Sequence, residues 1–310
     1  MSQMPQSDGV TEDPDGPGDA VVSHAGHRTN RFWPRLRRYT RGHPLFLVGL
    51  IIVFITLFLT AFGPIVAPFE PERADATVIL QPPSAEHWFG TDESGFDVFS
   101  RTISAPRIDV TIALVATLIS LVLGSVIGLL ASYFEGRWGA LVMRSADVVQ
   151  AFPLFVLAMI LVTTSGRNLA SLIFVIAFLN IPIFIRLMRS QVLALKHRSF
   201  VESARAVGNS ELSVAFRHVM PNALEPGLIQ TSVTMGFAIL LTAGLSFIGA
   251  GVRPPTPEWG AMIASGAQSL PRGAWWPSVF PGVAMSVVVF GFATVAEGLR
   301  EMLRGGSRGT

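Results

Sequence analysis

Ser199-Phe200-Val201-Glu202-Ser203-Ala204-Arg205-Ala206-Val207-Gly208-Asn209-Ser210-Glu211 is a polar, small-residue island between two apolar runs, 169–187 and 227–250. Ser199 and Glu202 have the S-x-x-E spacing of a capping box, which starts a helix. Small side chains follow at Ser203, Ala204 and Ala206. Gly208 can take the left-handed conformation that ends a helix. Ser210 can cap a second helix that runs toward Met220 and stops before Pro221, since proline disfavours helix in the residue before it. The stretch predicts a short helix, a turn and a second helix, with a shallow face that another protein could approach closely.

The surroundings are membrane-like. Half of the 310 residues are hydrophobic and 14% are charged, against about 25% in soluble domains. This excludes a disordered chain, a collagen-like chain and an ordinary soluble enzyme. There is no cysteine, which excludes disulfides, Cys-ligated zinc, iron–sulfur clusters and thiol nucleophiles. A spanning helix needs about 20 mainly apolar residues. Six candidates fit, at roughly 45–63, 109–132, 148–165, 169–187, 227–250 and 279–298. Asp109, Asp147, Arg186 and Glu297 fall at their ends, where charges can reach headgroups and water. Pro153 and Pro182 are candidates for kinks, and Gly124-x-x-x-Gly128 permits close helix packing. Trp259, Trp275 and Trp276 suit the outer interface.

Loop charge gives the orientation. With the N-terminus inside and six crossings, 17 of the 23 Lys and Arg residues face the cytoplasm. The six outside are Arg73, Arg101, Arg107, Arg167, Arg253 and Arg272. That is the sense of the positive-inside rule. Residues 1–43 read as a disordered cytoplasmic tail, acidic and Gly/Pro-rich first, then arginine-rich. Residues 44–107 read as the first span and an external loop, 108–300 as a five-helix unit, and 301–310 as a cytoplasmic tail.

This orientation weighs on the island. A plain cytoplasmic hairpin is one reading. A DNA-reading helix-turn-helix is another, but a helix held so near a bilayer could hardly reach a duplex, and Phe216, Val219 and Met220 are poor base readers. Nucleic acid is therefore not expected as a partner. Scattered histidines at 43, 87, 197 and 218 do not suggest a metal site. No G-x-x-x-x-G-K-[ST] loop exists, because Lys196 is the sole lysine and His197 follows it. Any ATP must be bound by another subunit. The spans show no ionisable relay of the kind a self-contained ion-coupled carrier, the alternative reading, would need.

Glu202-Ser203-Ala204, Gly208 six residues after Glu202, and Pro221 thirteen after Gly208 resemble the EAA loop (about 199–221) of ABC-importer permeases. Further blocks are similar to the dipeptide/oligopeptide/nickel permease family, in its C-type subunit. They are Arg217-His218-Val219-Met220-Pro221-Asn222, His87-Trp88-Phe89-Gly90-Thr91-Asp92, Asp97-Val98-Phe99-Ser100-Arg101, Leu245-Ser246-Phe247-Ile248-Gly249 and Pro254-Pro255-Thr256-Pro257-Glu258-Trp259-Gly260. The chain departs from the family at Phe96, where an arginine is usual, and at Thr242, where a glutamate is common. The resemblance implies an all-α, six-helix type I importer permease in a bacterial inner membrane, with both termini cytoplasmic. It implies no catalysis and no cofactor on this chain, with ATP and Mg on partner ATPase subunits. The implied partners are a second homologous permease, two ABC ATPases, an extracytoplasmic substrate-binding protein and membrane lipid. The implied coupling residues are Ser199, Glu202, Ser203, Ala204, Arg205, Gly208 and Pro221. Polar groups within the spans, Thr163, Thr164, Asn180 and Thr234, are candidates for a translocation pathway. Di- or oligopeptides are the default substrates, with glutathione, nickel complexes or opine-like conjugates as alternatives.

Overall fold

The computed structural model describes residue 40 and residues 43–306. The expected disordered tail falls outside the described residues apart from Thr40 and His43, and so do residues 307–310. The described chain is helical, with one isolated two-residue bridge, Thr91 to Asp97. Helix α1 (Pro44–Val66) begins with proline at its first position, where the missing N–H costs nothing. A loop leads to α2 (Val98–Ser104), whose N-cap Asp97 accepts the Ser100 N–H at 2.7 Å. Next come α3 (Pro106–Tyr133), α4 (Arg137–Ala151), α5 (Leu154–Ser165) and α6 (Leu169–Leu195). Two short helices, α7 (Ser199–Ala206) and α8 (Glu211–Ser213), precede a π-helical turn (Val214–Val219) and α9 (Met220–Ala223). The chain ends in α10 (Glu225–Phe247), α11 (Trp259–Ser269) and α12 (Trp276–Gly306).

Five segments are long and apolar enough to cross a membrane: α1, α2 with α3, α6, α10 and most of α12. The span expected at 148–165 differs. It is a broken pair, α4 and α5, bent by 94° at Phe152–Pro153. Proline pushes the preceding residue into extended backbone, and Phe152 sits at φ −80°, ψ 143°. Pro182, by contrast, lies inside an unbroken α6. The last helix overruns its expected span at both ends, so that residues 301–306, expected in a tail, are helical.

Helices α3 and α6 form the most extensive pair. Gly124 and Gly128 are the reason. A Cβ at Gly124 would lie 2.6 Å from Phe184 Cβ, and one at Gly128 would lie 2.7 Å from the Ile185 carbonyl. The glycine pair therefore works within this chain, letting two backbones touch. Two separate apolar cores result. The larger joins Ile112, Leu172, Ile176, Ile239, Leu245 and Phe292. The smaller sits at the other end of the bundle and joins Leu129 and Tyr133 of α3, Met188 and Val192 of α6, and Val201, Ala204, Val214 and Val219 of the hairpin.

At the end opposite the hairpin, two tryptophans are corrected from interface anchors to core. Trp259 is 1% exposed and donates its indole N–H to the Thr102 carbonyl at 3.0 Å. Trp276 is buried and donates to Thr91. Only Trp275 of the three is exposed. Arg101 ties the external loop to the 254–260 turn by donating to the carbonyls of Pro71 (3.0 Å) and Pro255 (2.9 Å). Its guanidinium sits 4.2 Å from the Phe96 ring centroid, so the phenylalanine gives Arg101 a cation–π face.

Candidate functional site

The hairpin is built as the sequence suggests in outline and differs in detail. Helix α7 starts at Ser199, but its N-cap is Arg198 and no side chain caps it. The capping box is therefore not formed. Ser199 occupies the first helical position, one residue too late to reach the free N–H groups. Gly208 has φ +88°, the left-handed conformation expected after the helix, and its N–H reaches the Arg205 carbonyl at 2.8 Å. Ser210 caps α8 and accepts the Ser213 N–H at 3.4 Å. The second helix does not stop before Pro221. The π turn resets the hydrogen-bond register, so Pro221 falls in the first turn of α9, where its missing N–H is tolerated.

The faces of α7 are now distinct. Ala204 turns inward, 8% exposed, against Val201, Val214 and their neighbours in the smaller core. The small side chain expected on the outer face at that position thus serves the hairpin's own packing. Glu202, Ser203, Ala206 and Val207 point outward. Val207 is 84% exposed, an apolar side chain on open display. The Glu202 carboxylate makes no hydrogen bond or ion pair among the described residues; its backbone N–H donates to the Arg198 carbonyl at 3.2 Å.

Arg205 does not project. It donates to the Tyr133 hydroxyl at 3.0 Å and to Glu211 at 3.2 Å, while the Tyr133 hydroxyl donates to Glu211. Three side chains from α7, α8 and the end of α3 thus tie the hairpin to the bundle. Glu211 is held below the usual glutamate range chiefly by the Tyr133 hydroxyl, then by the Arg205 charge, with desolvation opposing. A depressed folded pKa stabilises above the unfolded value, about 4.3, and that contribution is lost as pH falls through the folded value. We expect the hairpin of the wild type to lose resistance to an acid protease below about pH 4. Tyr133→Phe should cost about 1 kcal/mol at neutral pH and flatten that dependence. An unchanged digestion profile in the variant would remove the tie.

The pathway candidates divide into two pairs. Thr163 and Thr164 are exposed on α5, and each hydroxyl bonds back to the Ile160 carbonyl. Asn180 and Thr234 are each 2% exposed, inside the packing of α6 and α10. The Asn180 amide donates to Ile176 at 2.8 Å. In this chain one pair is therefore exposed and the other buried.

The chain matches the family described as "Binding-protein-dependent transport system inner membrane component" over residues 120–305, which contain the whole hairpin. It is a permease of that family. Residues 31–83 match the "N-terminal TM domain of oligopeptide transport permease C". The dipeptide transport system permease protein DppC of Alkalihalophilus pseudofirmus is 36% identical over 272 residues, 87% of this chain and 89% of that protein. The probable D,D-dipeptide transport system permease protein DdpC of Escherichia coli is 36% identical over 263 residues, 85% of this chain and 88% of that one. The glutathione transport system permease protein GsiD of Shigella boydii is 36% identical over 275 residues, covering 88% and 89%. The permease is thus of the dipeptide/oligopeptide type within ABC importers, a multi-pass protein of the bacterial inner membrane. These relatives support an importer permease over a self-contained ion-coupled carrier.

Two acids of the permease escaped the sequence reading. Asp109 was expected to reach water at a span end. It is 1% exposed and accepts the Trp259 N–H at 3.1 Å. Glu258 is fully buried and caps α11, accepting the N–H groups of Gly260 (2.9 Å) and Ala261 (2.7 Å). Together they clamp the start of α11 onto the start of α3. The only signal in sequence was an acid directly before Trp259-Gly260, since negative charge is favoured at a helix N-terminus, although glutamate is not among the usual N-cap residues.

Proposed function

We propose that the outward face of α7, with Glu202, Ser203, Ala206 and Val207, seats a separate ATPase subunit. Ala204, Arg205, Gly208 and Pro221 hold that face in position. The observation that carries this reading is the pairing of an exposed apolar tip at Val207 with a hairpin fixed by the Tyr133–Arg205–Glu211 tie. A docking helix must both offer contact area and transmit load, and α7 is arranged for both. The chain supplies no phosphate-cradling loop, so ATP and Mg belong to the partner subunits and this subunit catalyses nothing itself.

The same reading places a second homologous permease beside this one and an extracytoplasmic binding protein above it. Neither exposed Thr163 and Thr164 nor buried Asn180 and Thr234 encloses a route within one chain, which supports a pathway completed by the second permease. The names of the relatives support a peptide-like cargo, dipeptides or oligopeptides first and glutathione next; a nickel complex rests on the sequence resemblance alone. Cargo would move inward by alternating access as ATP binding and release shift two states of the pair. We place six crossings and both termini in the cytoplasm, counting α4 with α5 as one.

The test is reconstitution of the permease with and without its ATPases, second permease and binding protein. Uptake is expected only with the full set, and no ATP hydrolysis by this chain alone. Uphill uptake by this chain alone on a proton gradient would defeat the reading. In the same vesicles a cysteine at Ser84 should react with an impermeant reagent from outside and one at Ser210 should not. The chain's lack of native cysteine makes the labelling clean.

A further inference from the structure

Between the end of α3 and the start of α4 lies a cavity of about 250 Å3 that the coupling reading does not use. Ser132, Glu135, Gly136, Gly139 and Arg189 line it. Ser132 is 1% exposed and its hydroxyl has no hydrogen-bond partner. A helical serine ordinarily bonds back to the preceding turn, as Ser120 does to Ala116 at 2.7 Å. The second donor set is the N-terminus of α4, a helix of 15 residues. Its first N–H groups have no acceptor within the helix, and its N-cap, Gly136, has no side chain to offer one. The third is Arg189 on α6, whose guanidinium makes no hydrogen bond or ion pair among the described residues and acts on Glu135 only through its charge. The one acid in the wall, Glu135, is already paired with Lys196. That contact is the main reason its carboxyl sits below the usual range. A hydroxyl, a helix N-terminus and a guanidinium around one small space are the donor set of a tetrahedral anion.

We propose that this cavity binds the phosphate of an anionic phospholipid headgroup in the inner leaflet. Helix α4 supports a lipid as the source. Trp138 (67%), Leu141 (55%) and Val148 (60%) are exposed along it beside Arg137 and Arg144. Apolar and basic side chains mixed on one helix suit the boundary between headgroups and acyl chains. The inference rests on the cytoplasmic placement of the hairpin end, argued above. A free phosphate would satisfy the same donors, and the experiment separates the two.

The full chain, purified in detergent and stripped of lipid, is offered phosphatidylglycerol, phosphatidylcholine or inorganic phosphate and read by native mass spectrometry. Phosphatidylglycerol is expected to bind about tenfold more tightly than phosphatidylcholine, with Arg189→Gln removing that margin. Ser132→Ala should lower the margin about threefold and, being a small deletion, decides the matter if the arginine variant fails to fold. Equal binding of the two lipids, or an undiminished margin in Ser132→Ala, would overturn the proposal. So would inorganic phosphate displacing phosphatidylglycerol at equal concentration, which would assign the site to free phosphate. Binding in detergent needs neither ATPase nor orientation, so failure here leaves the importer reading standing, and the labelling experiment tests that reading separately.

Discussion

Gly208→Val is expected to abolish ATP-driven uptake while leaving the permease inserted and its spans intact. Gly208 has φ +88° and nothing within 4 Å of where a Cβ would stand. The penalty is therefore conformational, not steric contact with neighbours. Left-handed backbone costs an ordinary L-residue about 1–2 kcal/mol, and a β-branched one suffers more. The turn can relieve this only by moving what it joins. Asn209 N–H and Nδ2 both reach the Ala204 carbonyl, at 3.4 and 2.9 Å, and Ser210 begins the next helix. Displacing them tilts the outward face of α7. Co-purification of the ATPases and substrate-stimulated hydrolysis are the measurements. Gly208→Asn should retain much of the activity, because asparagine tolerates this region. Normal coupling in the valine variant would strip the turn of its role.

Gly128→Leu is expected to have the largest effect on folding. A Cβ there would lie 2.7 Å from the Ile185 carbonyl, 2.9 Å from Met188 Cβ and 3.0 Å from Ile185 Cα. Backbone atoms cannot rotate away as a side-chain tip can. Helices α3 and α6 would have to separate along the seam that carries their packing. Overpacking of this kind costs about 3 kcal/mol, at the upper end of the usual range. Membranes bearing the variant should yield little monodisperse protein on size exclusion and fast tryptic breakdown. Gly128→Ala should be measurably milder. Wild-type yield and stability in the leucine variant would mean the two helices are not in contact here.

These two sites also mark what could be read from the chain alone. Gly208 and the glycine pair were legible because glycine at a helix end, or at a four-residue spacing in a span, has few other uses. The long spans were legible from apolar length. The fate of 148–165 was half legible: Pro153 marked the break, but its 94° angle depends on what surrounds it. Ala204 was misread because an eight-residue helix has two plausible faces, and only the packing of Val214 and Val219 selects the inner one. Trp259 was misread for a similar reason. Its composition suits an interface, but the Thr102 carbonyl that holds its indole lies 157 residues away in the chain. The missing capping bond at Ser199 is a register error of one position, which spacing cannot exclude.

The smaller core has a mechanical meaning. Val201, Ala204, Val214 and Val219 share it with Leu129 and Tyr133 of one span and Met188 and Val192 of another. Close-packed interiors transmit displacement instead of absorbing it. If an ATPase docks as proposed, the hairpin and the ends of α3 and α6 would act as one stiff crank, with Val207 at the handle. A push at the handle would then be carried into both shafts through this shared packing. The glycine seam holds the two shafts against each other, so on that reading both would turn together.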